Sequence, residues 1–217
     1  MLRKSFGMDD LKQSISEIER AYLDIDKEWK ESFGQNINFG KCQVRDIKYG
    51  DPIYAYMASY TRFMNVKSPK ILITERKNIV IRTRIKNQNS IDAKLERFLH
   101  SSRHEYGKIS VNKCFCDLFG LRIIMPNAPT YEQVASVKSN WPSVFRCRDA
   151  SNGSYRATHL CFKADNYSFP WELQIWDIFD EKSNEESHSK YKQEYTSWEK
   201  ESQEGGIVDG ETLYPYE

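Results

Sequence analysis

The sequence lacks a strong net charge, long apolar runs and a targeting segment, and each absence excludes a class of protein. Its 32 lysines and arginines nearly balance 31 acidic residues, so an anion site must come from local clustering rather than from the overall field. No apolar run approaches the length that spans a bilayer. The first residues, Met1 to Ser5, do not form the apolar core of a secretory signal. No membrane partner is therefore expected.

Cysteine is scarce, and its spacing excludes the usual zinc sites. The chain has five cysteines, an odd number without the paired spacing of zinc ligands. Cys114 and Cys116 lie within an apolar run, where buried free thiols in a strand are favoured over metal ligation. Free thiols indicate a reducing compartment, so we expect a cytoplasmic protein.

Internal repeats and long low-complexity tracts are also absent, and the length of 217 residues suffices for one domain with a substantial core. We expect that domain to cover residues 1–200, with a helical N-terminal part (1–70) and a catalytic core (71–200). Residues 201–217 are expected to be a flexible tail or a docking peptide.

Hydrophobic periodicity predicts an α+β (mixed α/β) domain, in which helices surround a mixed sheet of about five strands. Helices are predicted over residues 8–34 (capped by Asp9 or Asp10), 52–64, from Asn89 or Ser90 to about 102, from the cap Thr130 to about 139, and over 178–200. Strands are predicted over 71–74 and 79–83 as a hairpin, and over 118–125, 144–149, 156–163 and 171–176.

Residues 84–94 gather cationic and hydroxyl side chains where a predicted strand meets a predicted helix. Arg84 and Lys86 alternate along the strand and so are expected to point to one side. Ser90 lies at the helix start, where backbone amides attract anions, and Lys94 follows four residues later on the same helix face. The pattern is typical either of a polyphosphate site or of a solvated basic face.

Two carboxylates stand in or beside predicted strands, which would fix their direction toward a metal. Asp117 directly precedes an apolar strand that contains Arg122, and an arginine in a buried strand needs an acidic neighbour or a bound nucleotide as its partner. Glu172 and Gln174 share one side of another strand. In isolation, that pair is more typical of the outward polar face of an edge strand.

Tyr155 and His159 lie on one side of a further predicted strand, after the turn-forming loop 150–154. An aromatic ring there can stack on a base, and the histidine can bind phosphate or shape the base pocket. A core tyrosine with a satisfied histidine is the alternative.

Five short motifs follow one another along the chain, and each alone is a weak signal. They are RxKxxxSxxxK (84–94), DxxGxR (117–122), YRxxH (155–159), ExQI (172–175) and HxxYK (188–192). In this order they resemble the RelA/SpoT-type alarmone synthetase domain, in its small stand-alone form. The resemblance covers roughly residues 80–195, about half of the chain.

This resemblance implies a nucleotidyltransferase-like fold and an enzyme that transfers the β,γ-pyrophosphate of ATP to a ribose 3′-hydroxyl with Mg²⁺. Asp117 would bind the metal, and Glu172 would assist as a metal ligand or as general base for the attacking hydroxyl, supported by Gln174. The ATP ligands that the resemblance implies are Arg84 and Arg122 on the adenine, with Lys86, Ser90 and Lys94 on the phosphates. The acceptor ligands that it implies are Tyr155, His159, His188 and Lys192.

Two departures from the family pattern leave the acceptor open. Trp176 and Asp177 stand where the family usually has Arg-Thr, and Ser154 replaces the usual glycine before the motif tyrosine. No hydrolase domain is expected before the synthetase-like region and no regulatory domain after it. The altered Trp176-Asp177, the short single domain and the lack of an evident oligomerising tail slightly favour the toxic small synthetases of toxin–antitoxin pairs. Some of those pyrophosphorylate the 3′ end of tRNA and inhibit translation. Synthesis of (p)ppGpp from GDP or GTP is the alternative.

A tRNA acceptor would require a basic track beyond the ATP site, and a toxin would require a protein antitoxin as a partner; DNA is not expected. The candidates for the track are Lys108, Lys113, Arg146, Arg148 and Arg156. A function of another class is an inactive nucleotide-binding sensor. Asp117 and Glu172 argue against it, because a pure binder does not need both carboxylates.

Overall fold

The computed structural model describes residues 6–34, 37–48 and 50–190. Lys192 and the predicted tail lie outside these ranges. None of the described helices is long and apolar enough to cross a membrane. The helices are α1 (Phe6–Phe33), α2 (Pro52–Lys67), α3 (Gln88–His100), α4 (Val111–Cys114), α5 (Tyr131–Ser136) and α6 (181–190), and the strands are β1 (Val80–Ile85), β2 (Phe119–Met125), β3 (Val144–Asp149), β4 (Thr158–Phe162) and β5 (Trp171–Asp177).

The strands form one five-stranded sheet in the order β1-β2-β5-β4-β3. The pair β2 and β5 is parallel, and the other neighbouring pairs are antiparallel. The expectation of a mixed sheet of about five strands with flanking helices is therefore confirmed. Residues 1–5 and 191–200 are not described, so the expected domain limits stay a prediction.

The two faces of the sheet differ because side chains alternate along each strand. Leu121 of β2 and Leu173 of β5 are buried in one core with Tyr22 and Trp29 of α1. Residues next to them in sequence carry polar groups to the opposite face. The residues that share this polar face are Arg84, Gly120, Arg122, His159, Glu172 and Gln174, as the strand register shows.

Helix α1 forms as the apolar period predicts, with Leu11, Ile15 and Ile18 fully buried. Its predicted cap is wrong, because the helix already includes Phe6 and places Asp9 in its first turn.

The predicted hairpin of residues 71–74 with 79–83 is also wrong. Residues 71–74 form no strand, because α1 binds this segment instead. The carboxylate of Glu17 accepts hydrogen bonds from the Thr74 amide at 2.8 Å and from Arg76 Nη2 at 2.7 Å. The first strand of the sheet is therefore β1.

Helix α3 begins earlier than predicted, because Asn87 caps it rather than Asn89 or Ser90. Its side-chain oxygen accepts a hydrogen bond from the Ser90 amide at 2.8 Å, which satisfies one of the free amides of the first turn. The helix ends at His100 instead of about residue 102.

The expectation of free cysteines is wrong for Cys116, which forms a disulfide with Cys161 of β4. Their Cα atoms are 6.5 Å apart, within the range that disulfides span. Cys114 is a buried free thiol, and burial raises its pKa to about 12. Neither Cys114 nor Cys116 lies in a strand, since α4 and a turn precede β2. The argument for a reducing compartment therefore loses part of its basis.

Burial of His104 predicts a loss of stability in acid. Its ring stacks on Phe98 with centroids 3.8 Å apart, and burial, followed by the charges of Arg97 and Arg103, lowers its pKa to about 4. The unfolded chain takes up this proton first as the pH falls below the ordinary value near 6.5, so stability is lost between pH 6.5 and 4. We expect His104 to remove about 2 kcal/mol of unfolding free energy between about pH 7 and 5, measured with urea.

The matched variant is His104→Gln, whose side chain does not titrate. It should lose correspondingly less stability over the same pH range. An identical loss in both proteins would contradict the assignment to His104.

Candidate active site

Two buried lysines share one carboxylate at the end of β1. Lys86 Nζ donates to Asp117 Oδ2 at 2.6 Å, and Lys94 Nζ donates to Asp117 Oδ1 at 3.0 Å. The fold brings them together because the Lys86 amide donates to the Leu118 carbonyl, which continues the β1–β2 pairing past the strand end. Lys86 thus follows the strand rather than lying within it as expected.

The cluster of Lys86, Lys94 and Asp117 holds more positive than negative charge. Burial alone would raise the pKa of Asp117, but the charges and hydrogen bonds of both lysines outweigh it and hold that pKa well below its usual range. Burial, reinforced by Lys94, lowers the pKa of Lys86, and Asp117 offsets this only in part. Two buried ammonium groups therefore share one carboxylate, and the cluster is suited to receive a further anion.

Glu172 is the second acid of the polar face. Its Oε1 lies 3.0 Å from His159 Nδ1 and 3.8 Å from an Arg148 nitrogen, and its Oε2 accepts from Gln174 Nε2 at 3.0 Å. Burial would raise the pKa of Glu172, but the charge and hydrogen bond of His159 outweigh it and hold the pKa well below its usual range. Glu172 is therefore an anion at neutral pH.

The two acids lie within electrostatic reach of each other, because the charge of Asp117 acts to raise the pKa of Glu172. Carboxylate oxygens are the ligands that Mg²⁺ prefers, so both acids are candidate ligands for that ion. Within the described residues, the one group of three or more metal-ligand side chains consists of Cys116, Cys161 and Glu172. Its two cysteines are joined as a disulfide and so do not offer thiolates.

Arg122 forms an ion pair with an acidic side chain, as expected for an arginine in a buried strand. Its Nη1 donates to Glu185 Oε1 of α6 at 2.6 Å, and its Nε donates to Gln174 at 3.2 Å. The guanidinium also stacks on Trp176, with Cζ 3.4 Å from the ring centroid. The sequence did not predict that Trp176 and Glu185 contact Arg122. Trp176 was noticed only because it departs from the Arg-Thr of the family pattern.

Arg84 and Ser90 lie near the cluster of Lys86, Lys94 and Asp117. Arg84 is exposed on β1 and pairs in register with Gly120, which leaves room above the sheet beside Arg122. Ser90 is in the first turn of α3, one helical turn before Lys94. Of the four donors expected to converge between residues 84 and 94, only Lys86 and Lys94 have hydrogen bonds to one common group.

Tyr155, His159 and His188 meet at the other end of the polar face. The Tyr155 hydroxyl lies 2.9 Å from His159 Nε2 and accepts from Trp176 Nε1 at 3.2 Å. His188 stacks on Trp176 and meets Tyr155 edge to face, with centroids 5.6 and 5.2 Å apart. Tyr155 is only 4% exposed, so α6 covers the ring that was expected to stack on a base.

The five residues expected to form a basic track fall into separate groups. Arg148 contacts His159 at 3.2 Å, and Arg146 donates to Cys161 Sγ at 3.4 Å. Arg156 donates to the carbonyls of Gly153 and Tyr155. The remaining two, Lys108 and Lys113, line one cavity.

Comparisons with known proteins agree with the pattern of motifs. A family model described as a region found in RelA / SpoT proteins matches residues 83–196, more than half of the chain. No curated protein matches the sequence.

Two solved structures are similar to the chain at low identity. The small alarmone synthetase 1 from Bacillus subtilis is 20% identical over 64% of this chain and 77% of that chain, with a TM-score of 0.39. A structure of the same synthetase bound to its product pppGpp is 17% identical over 68% of this chain and 85% of that chain, with a TM-score of 0.36. Family membership therefore rests on the family model.

Proposed function

Since this chain belongs to the RelA/SpoT family and is a pyrophosphokinase of that type, we propose that it transfers the β,γ-pyrophosphate of ATP to the 3′-hydroxyl of a ribose. The observation that supports this reaction best is the cluster of Lys86, Lys94 and Asp117, in which two buried cations share one carboxylate. In the reaction, the 3′-oxygen bonds to the β-phosphorus, the bond to the α,β-bridging oxygen breaks, and AMP leaves.

The triphosphate would bind Lys86 and Lys94, with Ser90 and the first amides of α3 as further donors. Arg84 and Arg122 would hold the adenine between them. They are diagonal neighbours on paired strands, typically about 7–8 Å apart, a spacing that admits one flat ring between two planar groups. Gly120, opposite Arg84, keeps this gap free of a side chain.

Asp117 and Glu172 would hold Mg²⁺, which supplies charge neutralisation on the phosphates. Glu172 would accept the proton of the attacking hydroxyl, and Gln174 would orient it through their 3.0 Å hydrogen bond. Because its pKa is held low, Glu172 would be ready as a base throughout the neutral range. Transfer of this kind depends on positioning and charge stabilisation more than on covalent catalysis.

For the acceptor we favour the 3′-terminal adenosine of tRNA over GDP or GTP. GDP and GTP carry a 5′-polyphosphate that needs cations, whereas the tRNA terminus has a single phosphodiester. Trp176 puts a neutral ring, already stacked on Arg122, where the family usually has an arginine. Tyr155 and His159 lie beside this ring and would bind the acceptor base once His188 moves aside. The role of Lys192 stays a prediction.

The test is incubation with γ-labelled ATP and, in parallel, deacylated tRNA, GDP and GTP. We expect label on tRNA, and none on tRNA whose terminal ribose has been oxidised with periodate. Label on GDP or GTP instead would identify a synthetase of (p)ppGpp. Label on none of them would favour the nucleotide-binding sensor.

Glu185 competes with ATP for Arg122 in this account. The Glu185 side chain is 48% exposed, so its ion pair with Arg122 is weak. We expect Glu185→Gln to tighten binding of a nonhydrolysable ATP analogue by about two- to fivefold, measured by calorimetry. Glu186→Gln, on an exposed neighbour in α6, should leave the affinity unchanged. Weaker binding in Glu185→Gln would contradict the competition.

A further inference from the structure

A cavity of about 370 Å³ is lined by four lysines and by no carboxylate. Its lining does not include Lys86, Lys94 or Asp117. The lysines are Lys41, Lys108, Lys113 and Lys163, and the other polar lining residues are Gln43, Ser110, Asn112 and Asn166. We refer to it as the lysine cavity.

Backbone hydrogen bonds between distant segments hold the lysine cavity in shape. The Val111 amide donates to the Cys42 carbonyl at 2.9 Å, which joins the segments that carry Lys41 and Lys113. The Lys163 amide donates to the Ser143 carbonyl at 2.7 Å and fixes the third segment. The lysines are therefore presented by a preformed frame and not by one mobile loop.

The positive charge of the lysine cavity is not neutralised internally. Within residues 6–34, 37–48 and 50–190, neither Lys113 nor Lys163 forms an ion pair, and Lys108 reaches Glu105 only at 4.0 Å between exposed groups. Burial and then the charge of Lys113 lower the pKa of Lys163, and Asp165 offsets this in part. Lys113 and Lys163 thus repel each other, and an anion between them would remove that repulsion.

The lysine cavity lies at the end of the sheet where both catalytic carboxylates are proposed. Lys113 belongs to α4, four residues before Asp117. Lys163 directly follows β4, whose last residue pairs with Trp171, the neighbour of Glu172. A polyanion that enters the polar face from this end would pass the cavity.

We propose that the lysine cavity binds backbone phosphates of the acceptor RNA, which deepens the proposed function and rests on its tRNA acceptor. Lysines act as point charges toward phosphate and give contacts that are independent of sequence. The lining contains no aromatic side chain, so it offers no platform on which a base would stack. These features fit a sugar–phosphate strand better than a free nucleotide.

The test is direct binding of deacylated tRNA and of GTP, without ATP, to the full chain and to Lys113→Gln/Lys163→Gln. We expect tRNA affinity to fall about tenfold and the slope of its salt dependence to fall by about 2, roughly one for each lysine, with GTP unaffected. The charge-preserving Lys113→Arg/Lys163→Arg should keep tRNA affinity within about twofold. Lys70→Gln/Lys77→Gln, on exposed lysines before β1, is the matched control.

Unchanged tRNA affinity in the double glutamine variant would overturn the proposal. A loss of GTP binding alone would also overturn it, because it would assign the cavity to a free nucleotide. Thermal unfolding verifies that the variant is folded, and Lys41→Gln repeats the test if it is not. Because binding is measured without turnover, the test of the lysine cavity does not depend on the proposed reaction, and either proposal can be refuted alone. A binding loss without any label transfer to tRNA refutes the reaction, and label transfer with unchanged binding refutes the cavity.

Discussion

Asp117→Asn should lower kcat/KM for pyrophosphate transfer by at least about a thousandfold, because it removes both the proposed metal ligand and the charge that organises Lys86 and Lys94. The same change removes the carboxylate that both buried ammonium groups share. We therefore expect it to reduce the unfolding free energy by about 3–5 kcal/mol. Labelled transfer and urea unfolding measure the two effects.

Two variants separate these effects. Asp117→Asn/Lys86→Met removes one uncompensated cation, so it should recover much of the stability while the activity stays lost. Asp24→Asn, on an exposed residue of α1, should change neither quantity. Transfer within tenfold of the unaltered enzyme in Asp117→Asn would remove Asp117 from the proposed mechanism.

Glu172→Gln should lower kcat at saturating ATP by about 10²–10⁴-fold, because the amide does not accept the hydroxyl proton and is a weaker ligand for the proposed Mg²⁺. In the unaltered enzyme Glu172 stays ionised well below neutral pH, since its folded-state pKa is depressed. Its protonation should therefore produce no fall in rate between about pH 6 and 8. Single-turnover transfer at saturating ATP measures this step.

The control for this prediction is Glu132→Gln, an exposed carboxylate of α5. It should leave the single-turnover rate unchanged. A Glu172→Gln enzyme with normal kcat and weakened ATP binding would show that Glu172 binds substrate without acting as a base.

The parts of the fold that the sequence predicted are those set by local pattern. Helix α1 repeats apolar residues at helical spacing, and β3 follows from a short run of residues 144–149 between turn signals. The prediction of a strand over 71–74 was wrong. The residues suit a strand, but Glu17, more than fifty positions away, binds the segment. A contact between distant residues of this kind leaves no mark in a local pattern.

The same limit applies to the site. The motif spacing pointed to Lys86, Lys94 and Asp117, but not to the ion pairs among them, which depend on how β1 continues beyond its end. The pairing of Cys116 with Cys161 depends on the position of β4 beside β5. Trp176 was visible only as a departure, and its stacking on Arg122 required the register of β2 and β5.

The central claim is that the cluster of Lys86, Lys94 and Asp117 is the triphosphate site. The most direct test is a crystal structure with Mg²⁺ and α,β-methylene-ATP, in which the bond broken by the reaction is stable. We predict phosphate oxygens within hydrogen-bond distance of both lysine ammonium groups and the adenine between Arg84 and Arg122. A triphosphate bound elsewhere, with both lysines still paired to Asp117, would contradict the account.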